Sequence, residues 1–179
     1  MESEEYLVEA AQNGHLDSFG ALYERYYSGI VALAYSVLGD RHLSQDAAQQ
    51  SFAIACRDLP KLKSKDKFGP WLAGICRNTA KQMKHSQNRL AALNQFEAAE
   101  QQQEQDKHSD AVRQALWNLR AAEREPIVLR YYNDFSYEQI SAVLGISTQA
   151  VHGRLTRAKR KIEKILKRNG FPGGDYESA

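Results

Sequence analysis

Cysteine is scarce in this chain, and the scarcity excludes several kinds of protein. The 179 residues contain Cys56 and Cys76 and no other cysteine, too few for a disulfide framework or a four-ligand zinc site. Both thiols lie in apolar helical surroundings and are expected to be buried. Four prolines and 11 glycines leave no room for a collagen-like or proline-rich architecture. The longest clean apolar run, Ile30 to Tyr35, is far shorter than the roughly 20 residues that cross a bilayer. The opening MESEEYLVEA has early acids and no basic stretch, so no secretory leader is expected. No alternating β-branched run is bounded by turns, which argues against a sheet. Catalytic signatures are missing too. Gly69 and Gly74 bracket PWLA without the Lys-Ser/Thr of a phosphate loop, and no nucleophile elbow or zincin pattern occurs. His15, His42, His85, His108 and His152 are too scattered for metal-ligand spacing. The expectation is a reduced, cytoplasmic, non-enzymatic protein with no metal and no cofactor.

What is present is a globular composition, 42% hydrophobic and 26% charged, with a net charge of +2. That small sum conceals a pattern. Residues 1–60 carry −6, 61–90 carry +7, 91–125 carry −3 and 126–170 carry +6. Two basic blocks separated by acidic sequence suggest two contacts with a polyanion, the alternative being two solvated helical faces.

Nearly everything reads as helix. Apolar groups recur at helical spacing over 5–13 and 17–37, the latter through Phe19, Leu22, Tyr23, Tyr26, Ile30, Leu33, Ala34 and Val37. Gly39-Asp40 ends that stretch. Ser44 is the expected cap of a helix that Pro60 stops. A lysine-rich turn segment, KLKSKDKFGP, follows, and the helical signal resumes from Trp71 through Ile75, Thr79 and Met83 to about Leu90. Residues 88–109 are rich in glutamine and lose their apolar groups after Phe96. They read as a flexible linker, or else as an extension of the preceding helix. The fold class expected is all-α, two small helical domains joined by that linker.

Beyond it, Val112, Leu116 and Leu119 mark one helix, and Pro126 stands near the start of the next, where a missing amide costs least. Asn133-Asp134 breaks that helix, and Ser136 with Gln139 forms a capping box. A helix of about eight residues, a turn at Gly145 and a longer helix capped by Ser147 complete a helix-turn-helix. Ile140, Leu144, Ile146, Val151 and Leu155 would seal it. Thr148, Gln149, His152, Arg154, Thr156, Arg157, Lys159, Arg160 and Lys161 would face outward. Short hydrogen-bonding groups near a helix N-terminus, with cations further along, suit base edges and phosphates in a major groove. An ordinary amphipathic hairpin with a solvated basic face is the plainer alternative.

The segment SYEQISAVLGISTQAVHGRLTRAKRKI, preceded by AEREPIVLRYYNDF, resembles region four of the extracytoplasmic-function sigma factors, bacterial initiation subunits of RNA polymerase. LSQDAAQQSFAIACRDLPKL is similar to the polymerase-binding helix of region two. FGPWLAGICRNTAKQMK is similar to its promoter-melting helix, with Phe68, Trp71, Leu72, Ile75, Arg77 and Asn78 in matching places. The resemblance spans nearly the whole chain. It implies region two over 5–88, a linker over 89–109 and region four over 110–169.

It also implies site residues. Asp46, Gln49 and Gln50 would bind core polymerase, with Phe52 turned inward; Asp46 could instead serve only its own helix's first turn. Lys61, Lys63, Lys65 and Lys67, followed by Arg77, Asn78, Lys81 and Lys84, would hold the minus-ten strand, where unstacking a base needs compensating contacts. The outward residues of the final helix would read the minus-thirty-five duplex. Trp71 and Phe68 could be stacking platforms, but their spacing with Leu72 and Ile75 favours core. Three positions depart from the family pattern: Gln50 replaces a usual acid, and Gln82 and His85 stand where Asp and Arg are frequent. The implied partners are core RNA polymerase, promoter DNA and an anti-sigma factor, with no membrane insertion by this chain. Two rival readings remain beside it, a stand-alone helix-turn-helix regulator and a helical adaptor acting through protein contacts.

Overall fold

The computed structural model describes residues 2–94 and 107–170, with side chains described for 2–90 and 111–170. Eight helices account for most of these residues: α1 (Glu4–Gln12), α2 (Leu16–Leu38), α3 (Arg41–Asp58), α4 (Phe68–Asn94), α5 (Lys107–Trp117), α6 (Ala121–Tyr131), α7 (Tyr137–Leu144) and α8 (Thr148–Arg168). No strand occurs among the described residues. The all-α expectation holds. The central part of the expected linker, 95–106, lies outside the described residues; α4 continues to Asn94, past the expected end near Leu90.

The first half is built on α2, against which α1, α3 and α4 all pack, with α3 and α4 also in contact with each other. Leu22, Ile30, Leu33 and Ala34 of α2 are fully buried. Burial of each of the three larger side chains is worth about 1.5–3 kcal/mol of transfer free energy. Gly39 closes the helix at φ 80°, and its N–H returns to the Tyr35 carbonyl at 2.9 Å. Positive φ is nearly free for glycine and costly for a residue with a Cβ. The next helix begins earlier than the sequence suggests. Asp40 is the N-cap of α3, accepting from the Leu43 N–H at 2.8 Å, whereas Ser44 is buried inside the helix with its hydroxyl turned back to the Asp40 carbonyl. Both residues are good caps; the first to meet an unpaired turn took the position. Ser44, Ala47, Ala48, Ser51 and Ala55 make the buried face of α3 small enough for close helix approach.

Between α3 and α4 the chain forms two short 3-10 turns, 59–61 and 65–67. The Gln12 side-chain amide donates to the carbonyls of Leu59 at 3.0 Å and Leu62 at 2.8 Å. The base of the lysine segment is thereby tied to α1. Phe68 starts α4, fully buried, 5.5 Å from the Tyr26 ring and 6.0 Å from that of Trp71. Both aromatics are core groups, as their spacing favoured, with Trp71 part-exposed at the edge.

In the second half, α6 packs on α8, and α5 and α7 on α8 from other sides. The face of α5 that turns inward carries Ala111 and Ala115, followed by Leu119 after the helix; Val112 stays exposed. Pro126 lies well inside α6 rather than near its start. Its ring removes the amide that would bond the Ala122 carbonyl, and the Arg154 guanidinium donates to that carbonyl at 3.5 Å. The two halves touch: α6 lies on α2, and α7 on α4.

Candidate promoter and polymerase surfaces

The helix-turn-helix forms from local signals that the structure reproduces closely. Ser136 accepts from the Gln139 N–H at 3.2 Å while the Gln139 side chain accepts from the Ser136 N–H at 2.8 Å. Gly145 turns the chain at φ 68°. Ser147 caps α8 by accepting from the Ala150 N–H at 3.2 Å. Ile140, Leu144, Val151 and Leu155 are buried between the two helices, with Ile146 packed beside them.

This packing sets the outer face of α8. Thr148, Gln149 and His152 are exposed at its N-terminal end, and Arg157, Lys159, Arg160 and Lys161 are exposed further along. Two other expected contacts point partly elsewhere. Arg154 is half-buried against α6 through the Ala122 carbonyl, and the Thr156 hydroxyl donates to the His152 carbonyl at 3.0 Å within its own helix. Lys161 is engaged as well: its ammonium lies 2.7 and 2.8 Å from the two Glu123 oxygens. The paired ammonium holds the Glu123 carboxyl below its ordinary range. Lys159 sits 5.4 Å over the Tyr131 ring. No ion pair holds Arg157 or Arg160 among the described residues.

The second basic surface combines the lysine segment with α4. Lys61, Lys63, Lys67, Asn78 and Lys81 are exposed. Lys61 pairs with Asp58 at 2.7 Å, and Lys65, half-buried, pairs with Glu9 at 3.0 Å. Arg57 and Lys61 together hold the Asp58 carboxyl far below the usual carboxylate range. Two further expected contacts face inward: Lys84 donates to the Val37 carbonyl at 2.6 Å, and Arg77 pairs with Glu125 of α6. Sequence spacing found these cations but not their partners, which lie 47 and 48 positions away in the chain.

A third surface lies on α3. Asp46, Gln49 and Gln50 are exposed together on one face, and Phe52 is buried behind it. Asp46 is beyond the first turn of a helix that starts at Arg41, so serving that turn does not account for it. The nearby Cys56 is exposed, against the expectation of burial. It falls on the outer face, one residue past buried Ala55. Cys76 is buried, its Sγ donating to the Ile30 carbonyl at 3.5 Å, and burial pushes its thiol up to about 12. Among the described residues no cluster of three or more His, Cys, Asp or Glu side chains could hold a metal. No helix there is long and apolar enough to cross a membrane.

Residues 22–90 match the family model for sigma-70 region 2, and residues 109–162 match that for sigma-70, region 4. The chain belongs to the sigma-70 family. It is a sigma factor of the extracytoplasmic-function type, a subunit that directs RNA polymerase to initiate at promoters. It is 29% identical over 182 residues to the RNA polymerase sigma-H factor of Pseudomonas aeruginosa, covering 92% of this chain and 94% of that one. It is 28% identical over 180 residues to the ECF RNA polymerase sigma-E factor of Salmonella typhimurium, covering 90% and 93%. Its fold is similar to that of CnrH, solved with the cytosolic domain of CnrY: TM-score 0.70, 25% identity, 94% of this chain and 99% of that one. The helix-turn-helix of this sigma factor is the end of its region 4, and α2 to α4 make up its region 2.

Proposed function

We propose that this sigma factor divides its work between residues 5–88 and 110–169. The first unit docks on core polymerase through Asp46, Gln49 and Gln50 and holds the opened minus-ten strand. Its strand contacts are Lys61, Lys63, Lys65 and Lys67 with Arg77, Asn78 and Lys81, while Lys84, bonded to the Val37 carbonyl, holds α4 to the end of α2. The second unit lays α8 in the major groove of the minus-thirty-five duplex, where Thr148, Gln149 and His152 reach base edges. Arg154, Thr156, Arg157, Lys159, Arg160 and Lys161 serve the sugar-phosphate backbone. The chemistry of RNA synthesis stays with the core enzyme; this chain is not itself a catalyst and acts in the cytoplasm, where the DNA is.

One observation carries the reading. The capped α7–Gly145–α8 hairpin exposes short polar side chains at the N-terminus of α8 and, along the same helix, the cations Arg157 and Arg160, which have no ion-pair partner among the described residues. Base readout with phosphate anchoring needs that order of groups. Two modest modules carried on one polymerase gain through effective concentration what each lacks alone. CnrH, similar across most of this chain, is solved with the cytosolic domain of another protein. An anti-sigma factor is the corresponding partner here.

Run-off transcription with purified core polymerase and genomic fragments tests the proposal. The chain should redirect initiation to a new set of start sites, and Arg157→Ala with Arg160→Ala should abolish most of that transcription. Failure to associate with core polymerase, or association without any change of start site, refutes it. A footprint made by the chain alone at full occupancy would point to a stand-alone regulator.

A further inference from the structure

The segment between α3 and α4 carries Lys61, Lys63, Lys65 and Lys67, like charges that repel one another along its length. One backbone bond closes each of its short turns: the Leu62 N–H donates to the Leu59 carbonyl and the Lys67 N–H to the Ser64 carbonyl, each at 3.0 Å. Its far end is anchored in the core. Phe68 is fully buried, and Gly69 passes so close to Tyr26 that a Cβ there would stand 2.8 Å from the ring. The near end is anchored by α1. The Gln12 Nε2 donates to the Leu59 carbonyl at 3.0 Å and to the Leu62 carbonyl at 2.8 Å, one at each end of the first turn.

The residue type suits this task. A primary amide carries two N–H donors on one nitrogen, so a single side chain can meet two carbonyls at once. Gln12 is the last residue of α1, a helix that buried Leu7 and Val8 fix on α2. The amide is therefore carried by a rigid element, and its partners lie 47 and 50 positions further along the chain. α1 also packs on both short turns. Its second polar link is weaker: Glu9 pairs with Lys65 at 3.0 Å, but the Glu9 side chain is 61% exposed, and ion pairs open to water hold little. Gln12 supplies the firmer fastening. Lysine side chains are long and flexible, so where their charges stand depends on where the backbone starts them. A segment already in its binding shape need not be ordered when a ligand arrives.

We propose that Gln12 is a positioning residue for minus-ten recognition: by holding the Leu59 and Leu62 carbonyls, it keeps the lysine segment in the shape that receives the opened strand. The hold rests on the two bonds above; its effect on DNA rests on the role proposed for the lysine segment. Gln12 itself touches no DNA in this arrangement. Its side chain serves only through its donors, so the outcome of a substitution depends on what the new side chain offers the two carbonyls. Methionine has similar length and no donor. Glutamate is isosteric and sets a carboxylate against two carbonyl oxygens. Lysine has three donors and can replace both bonds.

Binding by the full-length chain in reconstituted holoenzyme tests this with two labelled probes. One is a single-stranded oligonucleotide spanning the minus-ten region of a promoter used in run-off transcription. The other is a duplex from the same promoter that ends before the minus-ten element. Gln12→Met should weaken binding of the single strand about tenfold, the effect of losing two hydrogen bonds. Binding of the duplex and of core polymerase should stay unchanged. Gln12→Glu should weaken the single strand further, and Gln12→Lys should keep it near wild type. Hydrogen exchange over residues 59–67 should quicken in Gln12→Met and not in Gln12→Lys. Single-strand binding unchanged by Gln12→Met, or a Gln12→Lys variant as weak as Gln12→Met, overturns the proposal. An equal loss on both probes and on core polymerase makes Gln12 an ordinary stabiliser of the fold and overturns it too. Lys63→Ala with Lys67→Ala is the control for the lysine segment. If that double variant binds the single strand like wild type, the minus-ten role fails and the role of Gln12 falls with it. If the double variant loses binding while Gln12→Met does not, the role of Gln12 alone fails.

Discussion

Adjacent cations on α8 should contribute unequally to promoter binding, although in sequence they look equivalent. Arg160 is exposed and has no ion-pair partner among the described residues, whereas Lys161 already faces both oxygens of Glu123 at 2.7 and 2.8 Å. Binding that neutralises one phosphate contributes about −0.9 to the slope of log affinity against log salt. Between 50 and 200 mM salt, that single contact changes affinity about 3.5-fold. Arg160→Ala in the holoenzyme should therefore flatten the slope by about 0.9. Lys161→Ala should flatten it by much less, because Glu123 has already cancelled most of that charge. Glu123→Gln should steepen the slope by releasing the lysine. The assay is fluorescence anisotropy of a labelled promoter fragment with reconstituted holoenzyme across a potassium chloride titration. Equal slopes for Arg160→Ala and Lys161→Ala, or no response to Glu123→Gln, would refute the reasoning.

Three other outcomes follow from the core and its titratable groups. Phe68→Ala should cost about 3–5 kcal/mol, the usual range for emptying a fully buried aromatic site, and urea unfolding would read it as a lower midpoint. Thiol labelling at pH 8 should modify Cys56 quickly and Cys76 only after denaturation, because one is exposed while the other is buried with its thiol pushed up to about 12. The Lys161 ammonium depresses the Glu123 carboxyl in the folded state. That pair's stabilisation should be fully present above the unfolded carboxylate value, near about 4.3, and disappear as pH falls through the lower folded value. Acid unfolding of wild type against Glu123→Gln measures the difference, and a gap that persists unchanged to pH 2 would contradict the assignment.

The parts of the fold visible in the sequence are those governed by near neighbours. The capping box of Ser136 and Gln139, the turn at Gly145 and the cap at Ser147 each join residues within one helical turn, so their spacing reports them directly. Competition among near neighbours was harder to read. Asp40 and Ser44 are both sound caps, and the winner depends on where α2 releases the chain. Pro126 looked like a helix start because its local cost is lowest there, yet Arg154 from α8 supplies a donor to the carbonyl it leaves open. The exposure of Cys56 was likewise hidden, since apolar neighbours in sequence need not share its face of the helix.

Sequence alone determined the helices, the two basic surfaces and the family, because periodicity, caps and charge are properties of short segments. Only the tertiary structure decided which cations are free. Arg77, Lys84 and Lys161 are as basic as Arg157 and Arg160, but the first three meet Glu125, the Val37 carbonyl and Glu123 across the fold. A charge can be read from one residue, whereas its availability depends on what the packing sets within a few ångströms of it.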